Sequence, residues 1–254
     1  MQIHAFCAMS NHLHVVFTDP DGSAPLFVQA MNQSIARYVN CSLGRFGAMW
    51  EGGARPNYCV LPESGDVFDK VVYTLTNPVK AGLVSEHHLW PGAISDAGQI
   101  GMGSITTKRP RKFFAKTDDA TLLTRELILT PVPGAQAMGQ KDYGRYLEQR
   151  VSEVEAAIAA DRKARGERWL GRKGCLALDP FDAPKTKWKP FSRNPKVSSR
   201  NEDARKAQIR HQKNFREQYR EAKRTFREGH RDIPFPEGTF AMRVHWGVAV
   251  VPLV

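Results

Sequence analysis

The chain has 254 residues, 41% hydrophobic and 25% charged, which is enough for a buried core and excludes a disordered or fibrous polymer. Lys and Arg outnumber Asp and Glu by 37 to 26, a formal net charge of +11, and such an excess favours polyanionic partners while saying nothing of fold. No apolar run reaches membrane-spanning length and no signal-peptide pattern follows Met1, so a cytoplasmic protein with no membrane partner is expected.

The chain opens with "IHAFCAM" and "HLHVVF", two strand-forming runs separated by Ser10 and Asn11, a pattern that predicts a β-hairpin. After the turn cluster "DPDGSAP", Leu26, Ala30, Ile35, Tyr38 and Val39 recur at helical spacing, with Ser23 as N-cap. This helix is expected to cover one face of the sheet. "LGRFGAMWEGG" is a glycine-punctuated loop, and "RPNYCVL" reads as a further strand. Ser64 and Gly65 open a short helix with Val67, Val71, Val72 and Leu75 inward, stopped near Asn77 by Pro78. The order strand, strand, helix, strand, helix predicts an α+β fold, an antiparallel sheet with helices on one face.

Residues 1–95 form the first domain in this reading, and 96–118 have the glycine, serine and basic content of a linker. Residues 119–254 make a basic, mainly helical region. Its helices are expected over 142–166 and 202–229, and the closing "FPEGTFAMRVHWGVAVV" reads as a turn then a strand. Cys7, Cys41, Cys59 and Cys175 lack CxxC spacing, which excludes a zinc ribbon or a disulfide framework and suggests reduced core thiols.

His12 and His14 are two residues apart on a strand, so both rings face one side of the sheet. Neutral imidazole is a common metal ligand, and two side by side need only a third donor. The plain alternative is a pair of half-exposed strand histidines. Tyr73 and Asn77, four residues apart on a helix, share a face. Their plain alternative is a surface tyrosine and a helix-ending asparagine. Tyr38 is a rival nucleophile whose place on the apolar stripe argues for core packing, and Tyr58 has no comparable partner. His4 reads as structural, His87 and His88 as surface residues. Arg37, Arg45, Arg55 and Lys80 flank the site as phosphate contacts, and Trp50 suits either base stacking or the core. The basic segment with Lys185, Lys187, Trp188 and Lys189 suits hairpin DNA or flanking duplex.

Three segments carry a resemblance. "AMSNHLHVV" resembles the histidine–hydrophobic–histidine (HUH) signature of single-tyrosine transposases. "YTLTNPVKAGLV" is similar to the tyrosine helix of the REP-associated tyrosine transposases, and "GRFGAMWEGG" resembles their intervening glycine–tryptophan segment. The resemblance implies that His12, His14 and Asn77 hold Mg²⁺ or Mn²⁺ and that Tyr73 attacks a phosphodiester of single-stranded or hairpin DNA. The products would be a 5′-phosphotyrosine and a free 3′-hydroxyl, and covalent capture keeps the bond energy for rejoining. It also implies a ferredoxin-like catalytic fold and, from related insertion-sequence transposases, a homodimer. Against that pattern the first strand and helix are missing here, so the histidine strand is expected to lack one neighbour, with the terminal "FAMRVHWGVAVV" a candidate to fill the gap. Gly53 and Ala54 also precede Arg55, where relatives often have arginine directly. Two other readings stay open: a nucleic-acid-binding protein without turnover, and a metal-dependent hydrolase of a small substrate.

Overall fold

Gln2–Ala8 (β1) and Leu13–Thr18 (β2) pair antiparallel from Gln2↔Thr18 to Ala8↔Leu13. The Met9 N–H donates to the His12 carbonyl at 2.8 Å, which closes the hairpin over Ser10 and Asn11. The structure, a computed structural model, describes residues 1–50, 56–108, 124–179, 181–182 and 195–251. It is mixed α/β with two small antiparallel sheets.

A register shift between Ile3 and Ala5 makes His4 the extra residue of a β-bulge. His4 is fully buried. Its Nδ1 lies 3.0 Å from the Thr130 carbonyl oxygen, which can only accept, so Nδ1 carries the proton. Nε2 then accepts from the Thr18 hydroxyl at 2.8 Å. The structural role expected of His4 is that of a buried, fully bonded bulge residue.

The residues fall into two compact units interleaved along the chain. One comprises Met1, Asp19–Glu63 and Asn194–Val254; the other comprises Gln2–Thr18 and Ser64–Arg193. This division does not follow the boundaries at 95 and 119 read from composition, because the chain leaves the hairpin unit at Thr18 and returns at Ser64. The helix Ala24–Ser42 (α1) belongs to the first unit. The helix packed on the hairpin is instead Ser64–Leu75 (α2), which lies across both β1 and β2.

Val67, Val71, Val72 and Leu75 of α2 are buried, as their spacing requires. Burying each contributes about 1.5–3 kcal/mol. Pro78 has no N–H to donate to Thr74, and the helix accordingly breaks at Thr76 before the turn Asn77–Lys80 (α3). The break is slight. Thr76 N–H still bonds Val72 O at 3.0 Å and Lys80 N–H bonds Thr76 O at 2.9 Å, so the spiral continues in phase. Gly82, at φ 72°, ends it in the left-handed conformation that glycine favours, with Leu83 N–H donating to Pro78 O at 3.0 Å. Val79, Val84, Trp90 and Cys7 form a small core beneath this turn.

The outer edge of β1 is satisfied by short backbone bridges: Ala8 N–H to Ala93 O, Ser95 N–H to Phe6 O, and Thr130 N–H to Ile3 O, at 2.7–2.9 Å. Among the described residues β2 has β1 as its one strand neighbour. A second hairpin joins Ser104–Lys108 (β3) to Thr124–Ile128 (β4). So part of the segment expected to be a linker is strand, while residues 109–118 lie outside the described residues. Gln140–Ala164 (α4) and Gly171–Leu176 (α5) complete this unit. Phe68 of α2 stacks on Tyr146 of α4 at 5.1 Å between ring centroids.

In the other unit, α1 begins at Ser23 as its sequence suggests, but the cap is the Asp19 carboxylate, which accepts from Ala24 N–H and Ser23 N–H. Only Ala24 and Val28 of α1 are buried; Leu26 and Tyr38, assigned to an apolar stripe, are exposed. The expected strand over 55–61 reduces to one bridge, Val60 to Val197, with Tyr58 and Val60 both exposed. The long helix Glu202–Arg227 (α6) is capped by Asn201. The expected closing strand is the helix Ala241–Trp246 (α7), ended by Gly247 at φ 62°. A strand would place 242, 244, 246 and 248 on one face. Here Met242 is buried while Val244 and Trp246 are exposed, which breaks the alternation, and Val248, past the helix end, joins Met242 in the cluster of Phe226 and Phe235. That segment is therefore not a strand partner for β2. Among the described residues no helix is long and apolar enough to cross a membrane.

Candidate active site

At the turn of the first hairpin, His12 stands just before β2 and His14 two residues on. Their rings meet edge to face, centroids 4.8 Å apart. The ring of Tyr73, from α2, stands at 90° to that of His14 with centroids 5.7 Å apart. The helix reaches this place because its valine face packs on the hairpin. Tyr73 itself is 38% exposed.

Two ammonium groups lie over the same phenol ring, Lys80 at 4.3 Å and Lys70 at 4.7 Å from its centroid. Neither makes an ion pair with a carboxylate among the described residues. Burial, and then the nearby Lys70, lowers the Lys80 ammonium below its usual range. Two cations held together without a carboxylate favour the arrival of an anion.

Burial also lowers both imidazoles below the ordinary histidine range, and for His14 the neighbours His12 and Lys70 add to the effect. Each is thus held neutral near pH 7, the form that offers a ring lone pair. On His12 the Nδ1 atom lies 2.7 Å from the Asn11 amide oxygen. That oxygen only accepts, so Nδ1 carries the proton and Nε2 keeps its lone pair, the kind of outer partner that metal-bound histidines have.

Asn77 is one helical turn beyond Tyr73, on the side marked by Lys80, which reaches the same ring from three residues further on. It is 8% exposed, and its Nδ2 atom is buried without a hydrogen-bond partner. Buried amides normally avoid this, at about 1–3 kcal/mol. Among the described residues no three of His, Cys, Asp and Glu gather as a metal site. His12, His14 and the Asn77 amide oxygen are donor types that a hard divalent cation accepts; the two imidazoles meet ring to ring, and Asn77 stands on the turn after α2.

The structure brings His12, His14, Tyr73 and Lys80 together. Arg37 on α1 and Arg45 after it are exposed and belong to the other unit. Arg55 lies outside the described residues, as do Lys185, Lys187, Trp188 and Lys189. Trp50 is 39% exposed, its indole N–H donating to Asn32 O at 3.1 Å, so it is not a core residue. The burial argument against Tyr38 fails, since it is exposed; what sets Tyr73 apart is its contact with His14. His88 is on the surface, paired with Glu86, as expected. His87 is not: it is buried, with its backbone N–H and its Nδ1 both on the Glu155 carboxylate at 2.7 and 3.0 Å. Nor are all four cysteines core thiols: each is free, Cys7 is buried, but Cys41 is exposed.

Sequence reasoning missed Lys70 and Asn11. Lys70 is three residues before Tyr73, so the spacing that paired Tyr73 with Asn77 also marks it. Asn11 is adjacent to His12 and looked like a turn residue only. The chain matches no protein-family model, no curated protein and no solved structure.

Proposed function

We propose that the protein is a transposase-like endonuclease and strand transferase acting on single-stranded or hairpin DNA, with Tyr73 as nucleophile. The observation that carries the reading is the partly exposed Tyr73 ring set edge-on to His14 of the neutral His14–His12 pair, with the ammonium groups of Lys70 and Lys80 over the same ring. The phenol oxygen attacks the scissile phosphorus, and its proton is lost to solvent. The P–O3′ bond breaks, the 3′-oxygen leaves as a hydroxyl, and the 5′-phosphate stays on Tyr73. Attack by a second 3′-hydroxyl reverses the step and joins strands, which a water nucleophile does not permit. His12, His14 and Asn77 would hold Mg²⁺ or Mn²⁺, whose chemistry there is to polarise the phosphate. Lys70 and Lys80 receive the phosphate charge beside the ring.

In this reading the β1–β2 hairpin and α2 belong to a ferredoxin-like unit in which a further strand pairs with β2, and the working form is a homodimer. The test is incubation with a hairpin-tailed single-stranded oligonucleotide and Mn²⁺. A protein–DNA adduct that vanishes in Tyr73→Phe supports the proposal. Binding without an adduct indicates a nucleic-acid-binding protein without turnover. Cleavage that survives Tyr73→Phe indicates a hydrolase using water.

A further inference from the structure

One face of α6, in the unit that does not contain Tyr73, carries Lys213, Arg216, Arg220, Lys223, Arg224 and Arg227. At 100° per residue all six fall within about 100° of arc, and from Lys213 to Arg227 they extend about 21 Å along the axis. The neighbouring face holds the helix in place: Ala222 and Phe226 are buried with Phe235, Met242 and Val248, with Tyr219 packed on the same cluster. Asn201 caps the start, accepting from the Asp203 and Ala204 N–H groups. The cations are therefore presented on an anchored rod.

Local carboxylates do not account for them. Arg224 pairs with Glu221 and Glu228, and Lys213 reaches Glu217 only at 3.9 Å. Arg216, Arg220 and Arg227 have no ion-pair partner among the described residues. Arg220, Lys223, Arg224 and Arg227, with Glu228, line an open concavity of about 380 Å³. It is a seat for an anion lined by four cations and one carboxylate.

At the border of the stripe the Lys223 ammonium lies 6.0 Å from the Tyr219 ring centroid, and Tyr219 stacks on Phe215. The aromatic residues of α6 are Phe215, Tyr219 and Phe226; Phe226 is buried and the other two are partly buried. Single-strand binders interleave their basic residues with aromatic platforms for bases. Here the helix's own rings are buried or partly buried and packed on one another, not alternated with the cations, and a row of six guanidinium and ammonium groups matches a regular line of phosphates.

We infer that the α6 stripe is a sequence-independent docking surface for the phosphate backbone of double-stranded DNA. It rests on the nucleic-acid reading above and adds a second, duplex-binding site to the single-strand site at Tyr73. The row of phosphates is engaged through charge, and the bases are not read.

The experiment measures affinity for a fluorescent duplex as a function of salt, using full-length Tyr73→Phe protein without divalent cation. Adduct formation and duplex binding then succeed or fail separately. Each phosphate neutralised contributes about 0.9 to the slope of log affinity against log salt. Arg216→Gln/Arg220→Gln/Arg227→Gln is expected to lower that slope by about 2–3, and the triple Arg→Lys variant to restore it. Three results overturn the inference: an unchanged slope in the glutamine variant, an equal loss when Arg145 and Lys163 of α4 and Arg165 at its C-cap are changed to Gln instead, or binding to anionic vesicles with no binding to duplex.

Discussion

The Tyr73 ring stands perpendicular to that of His14 at 5.7 Å between centroids, and the contact joins α2 to the histidine strand. The contact is made by the ring, which Tyr73→Phe keeps. Tyr73→Phe is therefore expected to keep stability within about 0.5 kcal/mol of the parent by urea titration. Its affinity for a single-stranded oligonucleotide should change less than two-fold. A large loss of stability or of binding would mean that the hydroxyl is structural.

Lys70 and Lys80 differ from ordinary surface lysines because both lie on one ring and, among the described residues, neither has a carboxylate ion-pair partner. A charge-assisted contact to phosphate is worth about 1.5–3 kcal/mol, so Lys70→Ala and Lys80→Ala should each slow adduct formation by about 10–100-fold. Single-turnover rates at saturating oligonucleotide check this. Equal rates in the parent and both variants would show that the lysines serve only solubility.

Asn11 fixes the His12 tautomer through the 2.7 Å contact at Nδ1. Losing such an outer partner typically costs 10–100-fold in metal affinity. Asn11→Ala should weaken Mn²⁺ binding by about that factor in calorimetry, with folding unchanged because Asn11 is exposed in the turn. Undiminished Mn²⁺ affinity would remove Asn11 from the site.

His4 sets a pH dependence. Burial lowers its pKa below the usual 6.5, against the opposing pull of the Thr130 and Pro131 carbonyls. The unfolded chain therefore binds a proton more readily than the folded one, and the stability held above pH 6.5 is lost as pH falls below it. His12 and His14 act in the same direction. Urea titrations from pH 8 to 5 should show falling stability, at most about 1.4 kcal/mol per pH unit for each group. Stability that rises on acidification would contradict the bonding assigned to His4.

Local signals carried the elements that hold the site. Alternation around Ser10–Asn11 marked the hairpin, and the valines of α2 marked the face that packs on it. These features depend on neighbours in sequence. What failed depends on distant partners. Nothing near His87 announces Glu155, which is 68 residues away. The strand assigned to 55–61 had the right residue types but finds only Val197 as a backbone partner. The terminal segment alternates like a strand, yet Ala241–Trp246 form a helix that puts Met242 against Phe226 and Phe235, and Val248 reaches the same core after the turn at Gly247. Tyr38 sits at a helical spacing that looked buried, but α1 buries little beyond Ala24 and Val28. Lys70 was hidden differently, since a lysine on a helix reads as solvated until the ring beneath it is known.

The most direct measurement is identification of the protein atom bound to DNA. The protein is incubated with a 5′-labelled single-stranded hairpin substrate and Mn²⁺, digested, and the nucleotide-bearing peptide sequenced by mass spectrometry. The account predicts a 5′-phosphate ester on Tyr73 and a free 3′-hydroxyl on the released strand. An ester on Tyr38 or Tyr58, or cleaved DNA with no protein attached, contradicts it.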